Sequence, residues 1–232
     1  MTASPLATAP LLQLGPFAIT GPVLTTWALM ALMTALSALL CRNLSLTPGK
    51  VQTVLELLVG TIDQQIRDTM QTSPARYRAL IGTLFLFVLI ANWSALVPGV
   101  TPPTAHLETD AALALIVLGA TVFYGIRTRG TGGYLAAFAE PSWVMIPLNV
   151  VEQITRTFSL VVRLFGNVMS GVFVIGIILS LAGLLVPIPL MALDLLTGAV
   201  QAYIFAVLSM VFIGAAISDT HQSVSVKQGN TS

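Results

Sequence analysis

Charge is what this 232-residue chain has least of: 8% of its residues are Asp, Glu, Lys or Arg, while 56% are hydrophobic and the mean hydropathy is +0.90. An average soluble domain carries about 25% charged residues, so the composition excludes a soluble fold and identifies an integral membrane protein. Ten Lys and Arg stand against nine Asp and Glu without a basic block, which excludes a nucleic-acid partner. Cysteine is nearly absent. Cys41 alone cannot close an internal disulfide, and no Cys/His pair has metal-ligand spacing, so no redox framework, structural metal or cofactor is expected. Residues 1–21 hold no Lys or Arg and therefore lack the positive region of a secretory signal; they read as a short, retained segment on the outer side. No G-x-x-x-x-G-K-[ST] loop is present, which leaves nucleotide chemistry to other chains, and internal repeats and low-complexity tracts are missing too.

What is there is apolar sequence in long runs. It predicts an all-α integral membrane protein forming a single membrane domain over 1–232, with about five membrane-inserted helices and one interfacial amphipathic helix. The spans are 22–41, 79–97, 110–126 and a long tilted hairpin of 143–186 with 190–218, followed by a polar tail over 219–232. About 20 residues cross a bilayer core, so the third span sits nearly upright, whereas 143–186 as a helix reaches roughly 66 Å and must tilt or lie partly along the membrane. Pro187 and Pro189 mark the bend. Over 48–72, Val51, Val54, Leu55, Leu58, Ile62, Ile66 and Met70 share one helix face opposite Lys50, Glu56, Asp63, Arg67 and Asp68. That pattern fits a helix at the membrane surface or one packed on a partner subunit.

Arg42, Lys50, Arg67, Arg76 and Arg78 lie between the first two spans and Arg127 and Arg129 after the third, while the Pro98–Asp110 loop has no Lys or Arg. The positive-inside rule puts the basic loops and the C-terminus in the cytoplasm and the N-terminus outside. The Gly-rich Arg129-Gly-Thr-Gly-Gly133 reads as a cytoplasmic turn. His106, Glu108 and Asp110 together offer groups that could bind a cation, but read first as solvated polar residues of the outer loop, and His221 as a solvated residue of the tail.

Arg163 breaks the apolar run Phe158–Val186. A guanidinium cannot shed its proton, and at mid-bilayer it costs roughly 2.5 to 3.5 kcal/mol on insertion scales, so a charge there points to function. At about 100° per residue, Asn149, Glu152, Arg156, Ser159, Arg163, Asn167 and Ser170 fall within roughly 80° of arc on one helix. Ser159 or Ser170 alone would suggest simple interhelical bonding; Arg163 does not. The only acid on that stripe, Glu152, is about 16 Å away along the helix, so the partner of Arg163 comes from elsewhere in the chain or from another protein. In the next helix Asp194 and Gln201, seven residues apart with Thr197 between, share a face. Asp194 alone fits a helix-start carboxylate; opposite an Arg/Asn stripe it fits an ion site.

Arg163-Leu-Phe-Gly-Asn167, followed after a Pro break by Asp194 and Gln201-Ala-Tyr-Ile-Phe, resembles the a subunits of rotary F-type ATP synthases. Asn92-Trp-Ser-Ala-Leu-Val-Pro98, Thr101-Pro-Pro-Thr-Ala105 and Ile146-Pro-Leu-Asn-Val-Val-Glu152 extend the likeness along the chain. The resemblance implies a stator arginine, Arg163, facing the carboxylates of a proteolipid c-ring, with Asn167 and Gln201 beside it. Ser170, Asp194 and Gln201 would line an outer half-channel for H+ or Na+, and Asn149, Glu152 and Ser159 an inner one. It further implies peripheral-stalk b subunits as partners, a bacterial inner membrane as the location, and no catalysis by the chain alone. Three positions depart from the family pattern: Val172 and Asn149 replace ionisable residues, and Asp194 stands where His or Glu is common, so the outer path rests on one carboxylate. The competing classes are a self-contained cation-coupled secondary transporter or channel, which usually shows repeats and broken helices, and a structural scaffold, which leaves Arg163 unexplained.

Overall fold

In the computed structural model, which describes residues 10–14, 17–42, 49–97, 100, 102–139, 143–182 and 187–218, the apolar runs are helices. Hydrocarbon offers the backbone no hydrogen-bond partner, so a spanning segment must satisfy its own amides. The helices are α1 (Gly21–Cys41), α2 (Lys50–Met70), α3 (Arg78–Trp93), α4 (Leu107–Ala139), α5 (Met145–Ala182) and α6 (Pro187–Ser218). Five of them, all but α2, are long and apolar enough to cross a membrane, and the fold is that of an all-α integral membrane protein. One feature was not expected from the sequence: β1 (Pro10–Leu14) pairs antiparallel with β2 (Phe17–Thr20) just ahead of α1. Residues 1–9, His221 and the rest of the 219–232 tail lie outside the described residues.

The helix ends follow local chemistry. Met145 and Pro187 open α5 and α6 with prolines at 147, 187 and 189 in the first turn, where a missing N–H costs nothing. α2 stops at Gln71, which adopts φ 51° and returns its N–H to the Arg67 carbonyl. α4 is longer than the apolar run 110–126: it begins at Leu107 and continues past Arg127 and Arg129. The stretch 129–133 holds a kink at Gly130, whose φ of 75° and ψ of 163° are non-helical and suit glycine alone, so Leu107–Ala139 is two helices joined at that residue.

α6 is the hub, packing on α2, α3, α4 and α5. One core joins Leu84 and Val88 of α3, Leu113, Ala114 and Val117 of α4, Leu160, Val161 and Leu164 of α5, and Ala202 and Phe205 of α6. A second joins Ile66 and Met70 of α2, with Tyr77 and Ile81, to Met210, Ile213 and Ile217 of α6. α2 is thus docked on its own chain through one part of its apolar face, and the Arg78 guanidinium grips the Asp63 carboxylate through two hydrogen bonds of 2.5 Å. Val51, Val54 and Leu57 of α2 stay exposed. The antiparallel α5 and α6 leave two distinct ends: a basic end near Arg129 and Met145, and a hairpin end near Ala182 and Pro187.

Candidate functional site on the last helix pair

α5 buries Leu160, Val161, Leu164 and Val168 against the core, and this choice of face turns the polar stripe outward. Arg163 is exposed and makes no hydrogen bond or ion pair with any described residue. It borders a groove of about 570 Å³ between α5 and α6, shared with Glu152, Arg156, Ser159, Leu208 and Phe212. Glu152 is not held in reserve for Arg163. It pairs with Arg156 one turn on, and the Arg156 guanidinium lies 5.5 Å from the ring centre of Phe212 on α6. Both charges stay on the α5 surface, so the pair adds little stability and mainly fixes where the acid points.

At the basic end a cavity of about 180 Å³ lies between α4, α5 and α6, lined by Thr121, Arg129, Tyr134, Asn149, Glu152 and Arg156. Glu152 lines this cavity and the Arg163 groove alike, so Asn149, Glu152 and Ser159 form a continuous polar edge on one side of Arg163. Gly125 makes room here, since a methyl group on it would collide with the Tyr134 ring.

At the hairpin end Asn167, Ser170, Gly171, Asp194 and Thr197 line a separate pocket of about 210 Å³. The Asp194 carboxylate lies against Gly171 so closely that a Cβ there would overlap it. Ser170 donates to the Asn167 carbonyl at 2.8 Å and Thr197 to the Asp194 carbonyl at 3.0 Å, so both hydroxyls are spent within their own helices. Val172 is exposed and lies outside this pocket. The structure brings Asn167, Ser170 and Asp194 together but not Gln201, which is 6% exposed on the core face of α6 beside Ala202.

Two features escaped the sequence reading. Asn92, in the middle of an apolar run, donates to the Gly198 carbonyl at 3.0 Å and accepts from Thr104 at 2.8 Å, and the Trp93 indole donates to the Leu195 carbonyl at 3.2 Å. These bonds fix α6 against α3 between Asp194 and Gln201; an isolated Asn inside an apolar span was the available signal. Asp110 is the second and a correction: it is not a solvated loop residue but fully buried on the first turn of α4, with neither carboxylate oxygen bonded. Its neighbour His106 is half-buried, and burial holds that imidazole below its ordinary pKa, partly offset by Glu108.

The sequence profile of the family described as "ATP synthase A chain" matches residues 23–214. The chain is similar to "ATP synthase subunit a 2" of Bradyrhizobium sp. (strain BTAi1 / ATCC BAA-1182), 52% identical over 94% of this chain and 97% of the relative. It is similar also to "ATP synthase subunit a" of Albidiferax ferrireducens, 44% identical over 88% of this chain and 89% of the relative. "ATP synthase subunit a 1" of Chlorobaculum parvum is 44% identical over 88% of this chain and 91% of its own.

Proposed function

The chain belongs to the ATP synthase A chain family, and from that premise we propose that it carries the stator arginine and two ion half-channels that couple H+ or Na+ flow to rotation. As a family member it is an integral membrane component of a larger complex. The finer reading adds the partners. A ring of c subunits turns against α5, b subunits hold the stator, and the catalytic work on ATP lies in other chains of the complex. The membrane is a bacterial inner membrane, with the basic end cytoplasmic and the hairpin end outside.

The observation that carries the proposal is Arg163, a permanent charge on an apolar span, exposed at the surface and without a partner among the described residues. Its partner therefore belongs to another chain. A rotor carboxylate facing lipid must be neutral, because an unpaired charge in hydrocarbon is prohibitive. Opposite Arg163, attraction across about 4 Å is worth roughly 4 kcal/mol at an effective dielectric of 20, and the ionised form wins. The ion is released there, and the fixed positive charge stops cations from leaking straight across.

The polar residues on either side of Arg163 fit the two access routes. Ser170 and Asp194, with Asn167 towards the arginine, would form the outer one, and Asn149, Glu152 and Ser159 the inner one, while Gln201 would act from its buried place on the core face of α6. An ion entering one route can leave by the other only by riding the ring, and each charge crossing 100 mV supplies about 2.3 kcal/mol to bias the rotation.

Arg163→Ala tests the reading. Assembled complexes should lose both ATP-driven ion pumping and ATP synthesis, while passive ion leak persists or rises. Arg163→Lys is a weaker test, since a desolvated Lys can lose its proton. Assembled Arg163→Ala complexes that still pump ions on ATP hydrolysis refute it.

A further inference from the structure

Asp110 sits where a carboxylate is hardest to explain by packing. It shares a face of α4 with Leu113, Ala114 and Val117, the residues three, four and seven positions on, all of them buried. Those three join the core that holds Leu160 and Leu164 of α5 and Ala202 and Phe205 of α6. Asp110 lies one turn nearer the hairpin end, roughly 5 Å further along α4. By the antiparallel run of α5 and the parallel run of α6, that turn is level with Val168 and with the stretch Gly198–Gln201. In depth it falls between Arg163 and Asp194.

The surroundings at this level are polar by the standards of the chain. Asn92, Thr104 and Gln201 are each buried, 6%, 0% and 6% exposed, and come from α3, the Pro103–Ala105 turn and α6. Asn92 and Thr104 satisfy each other and the Gly198 carbonyl. Asp110 is 0% exposed, and both of its oxygens lack a hydrogen-bond partner among the described residues.

A helix-stabilising role does not account for it. An acid in the first turn profits from the helix dipole while remaining in water, and Glu108 on the same turn is exposed and does so. A capping side chain would accept a backbone N–H, and Asp110 accepts none. No Lys or Arg is paired with it among the described residues, and its titratable neighbours in the turn are only His106 and Glu108. A carboxylate so placed is tolerated only when a cation neutralises it.

We propose that Asp110 is a cation-binding carboxylate of the outer access route, the second acid that Val172 leaves missing, taking a proton or a sodium ion that has entered past Asp194 and passing it inward to the rotor carboxylate opposite Arg163. This rests on the functional reading above. In the proton form, the O–H bond of a protonated Asp194 breaks as an Asp110 oxygen gains that proton. The new O–H bond then breaks and the proton passes to the rotor carboxylate, leaving Asp110 ionised until the next uptake; ATP-driven pumping runs the same steps in reverse. In the sodium form no bond is broken, and the ion exchanges between the two carboxylates.

The experiment uses whole complexes in inverted membrane vesicles. Asp110→Asn keeps the shape but cannot carry a cation, and should lower ATP-driven pumping at least roughly tenfold with assembly intact. Asp110→Glu should restore most of the rate, and Asp194→Asn should resemble Asp110→Asn. Full-rate pumping by assembled Asp110→Asn overturns the assignment.

If Asp110→Asn fails to assemble, wild-type complexes decide the question by treatment with dicyclohexylcarbodiimide, which attacks protonated carboxyls in apolar surroundings, followed by peptide mass spectrometry. Modification of Asp110 with and without sodium assigns a proton. Modification blocked by sodium assigns the sodium ion. No modification in either buffer overturns the proposal. Arg163→Ala is run in parallel: if it pumps, the functional reading itself falls and this assignment with it. A silent Arg163→Ala beside a full-rate Asp110→Asn removes Asp110 alone.

Discussion

Replacing Asn92 by Leu removes two buried hydrogen bonds at nearly constant volume: the 3.0 Å bond to the Gly198 carbonyl and the 2.8 Å bond from Thr104. Gly198 loses only a second donor, because its carbonyl still serves the α6 backbone. Thr104 is 0% exposed, and its hydroxyl is left without an acceptor. Stranding a buried polar group costs about 1 to 3 kcal/mol in soluble proteins, while interhelical bonds in membranes average about 0.6 kcal/mol and reach about 1.7. The expected loss for Asn92→Leu is therefore about 1 to 3 kcal/mol. Thr104→Val alone strands the Asn92 carbonyl oxygen and should cost a similar amount. With both changed, no polar group is left over, so the double variant should recover about 1 kcal/mol relative to the sum of the singles. Denaturant titration of the four proteins in detergent micelles, followed by tryptophan fluorescence, gives the coupling directly. Strict additivity would refute the claim that these two side chains hold each other.

Gly171→Ala puts a methyl group where the Asp194 carboxylate lies and should slow ion pumping by roughly tenfold, whereas Gly176→Ala, which meets nothing within 4 Å, should pump normally; equal rates would detach Asp194 from its place over Gly171. For topology, a cysteine at Gln71 should be labelled from the cytoplasmic side and one at Glu108 from the outside, after Cys41, itself exposed, has been replaced by Ser. Labelling of both from one side rejects the assigned orientation and the naming of the two routes.

The spans were legible because each is an apolar run of about the length a bilayer needs, and nothing else in the chain imitates that signal. The amphipathic α2 was legible as a helix, but its docking on α6 was not, since Ile66 and Met70 look no different from the exposed Val51 and Val54 until a partner surface is known. Gly130 shows a limit of another kind. A Gly-rich stretch announces that the chain can turn but not where, and the break falls at one glycine, Gly130, with helix on either side of the kink. On α5 the stripe was readable from 3.6-residue periodicity, and its exposure follows from the opposite face being the one that packs. Asp110 was misread for a physical reason: the residues just before it are polar, and sequence gives no sign that α4 starts at Leu107 and faces Asp110 inward. Asn92 shows no role in the sequence, because the carbonyl it grips, that of Gly198, lies 106 positions away.

The way α6 is held also sets what can change on it. Asn92 and Trp93 grip the carbonyls of Gly198 and Leu195, atoms that every residue type supplies, and not the side chains that stand there. Mutational freedom is thereby divided along a single helix turn. Position 198 is closed, because a Cβ would stand 3.1 Å from that of Asn92 and press α6 away from α3. Position 195 contributes its carbonyl whatever its side chain, and position 194 is not gripped at all. Drift at Asp194 can then exchange one ion-handling group for another without shifting the helix that presents it, so the chemistry of the route can evolve on an unmoved frame.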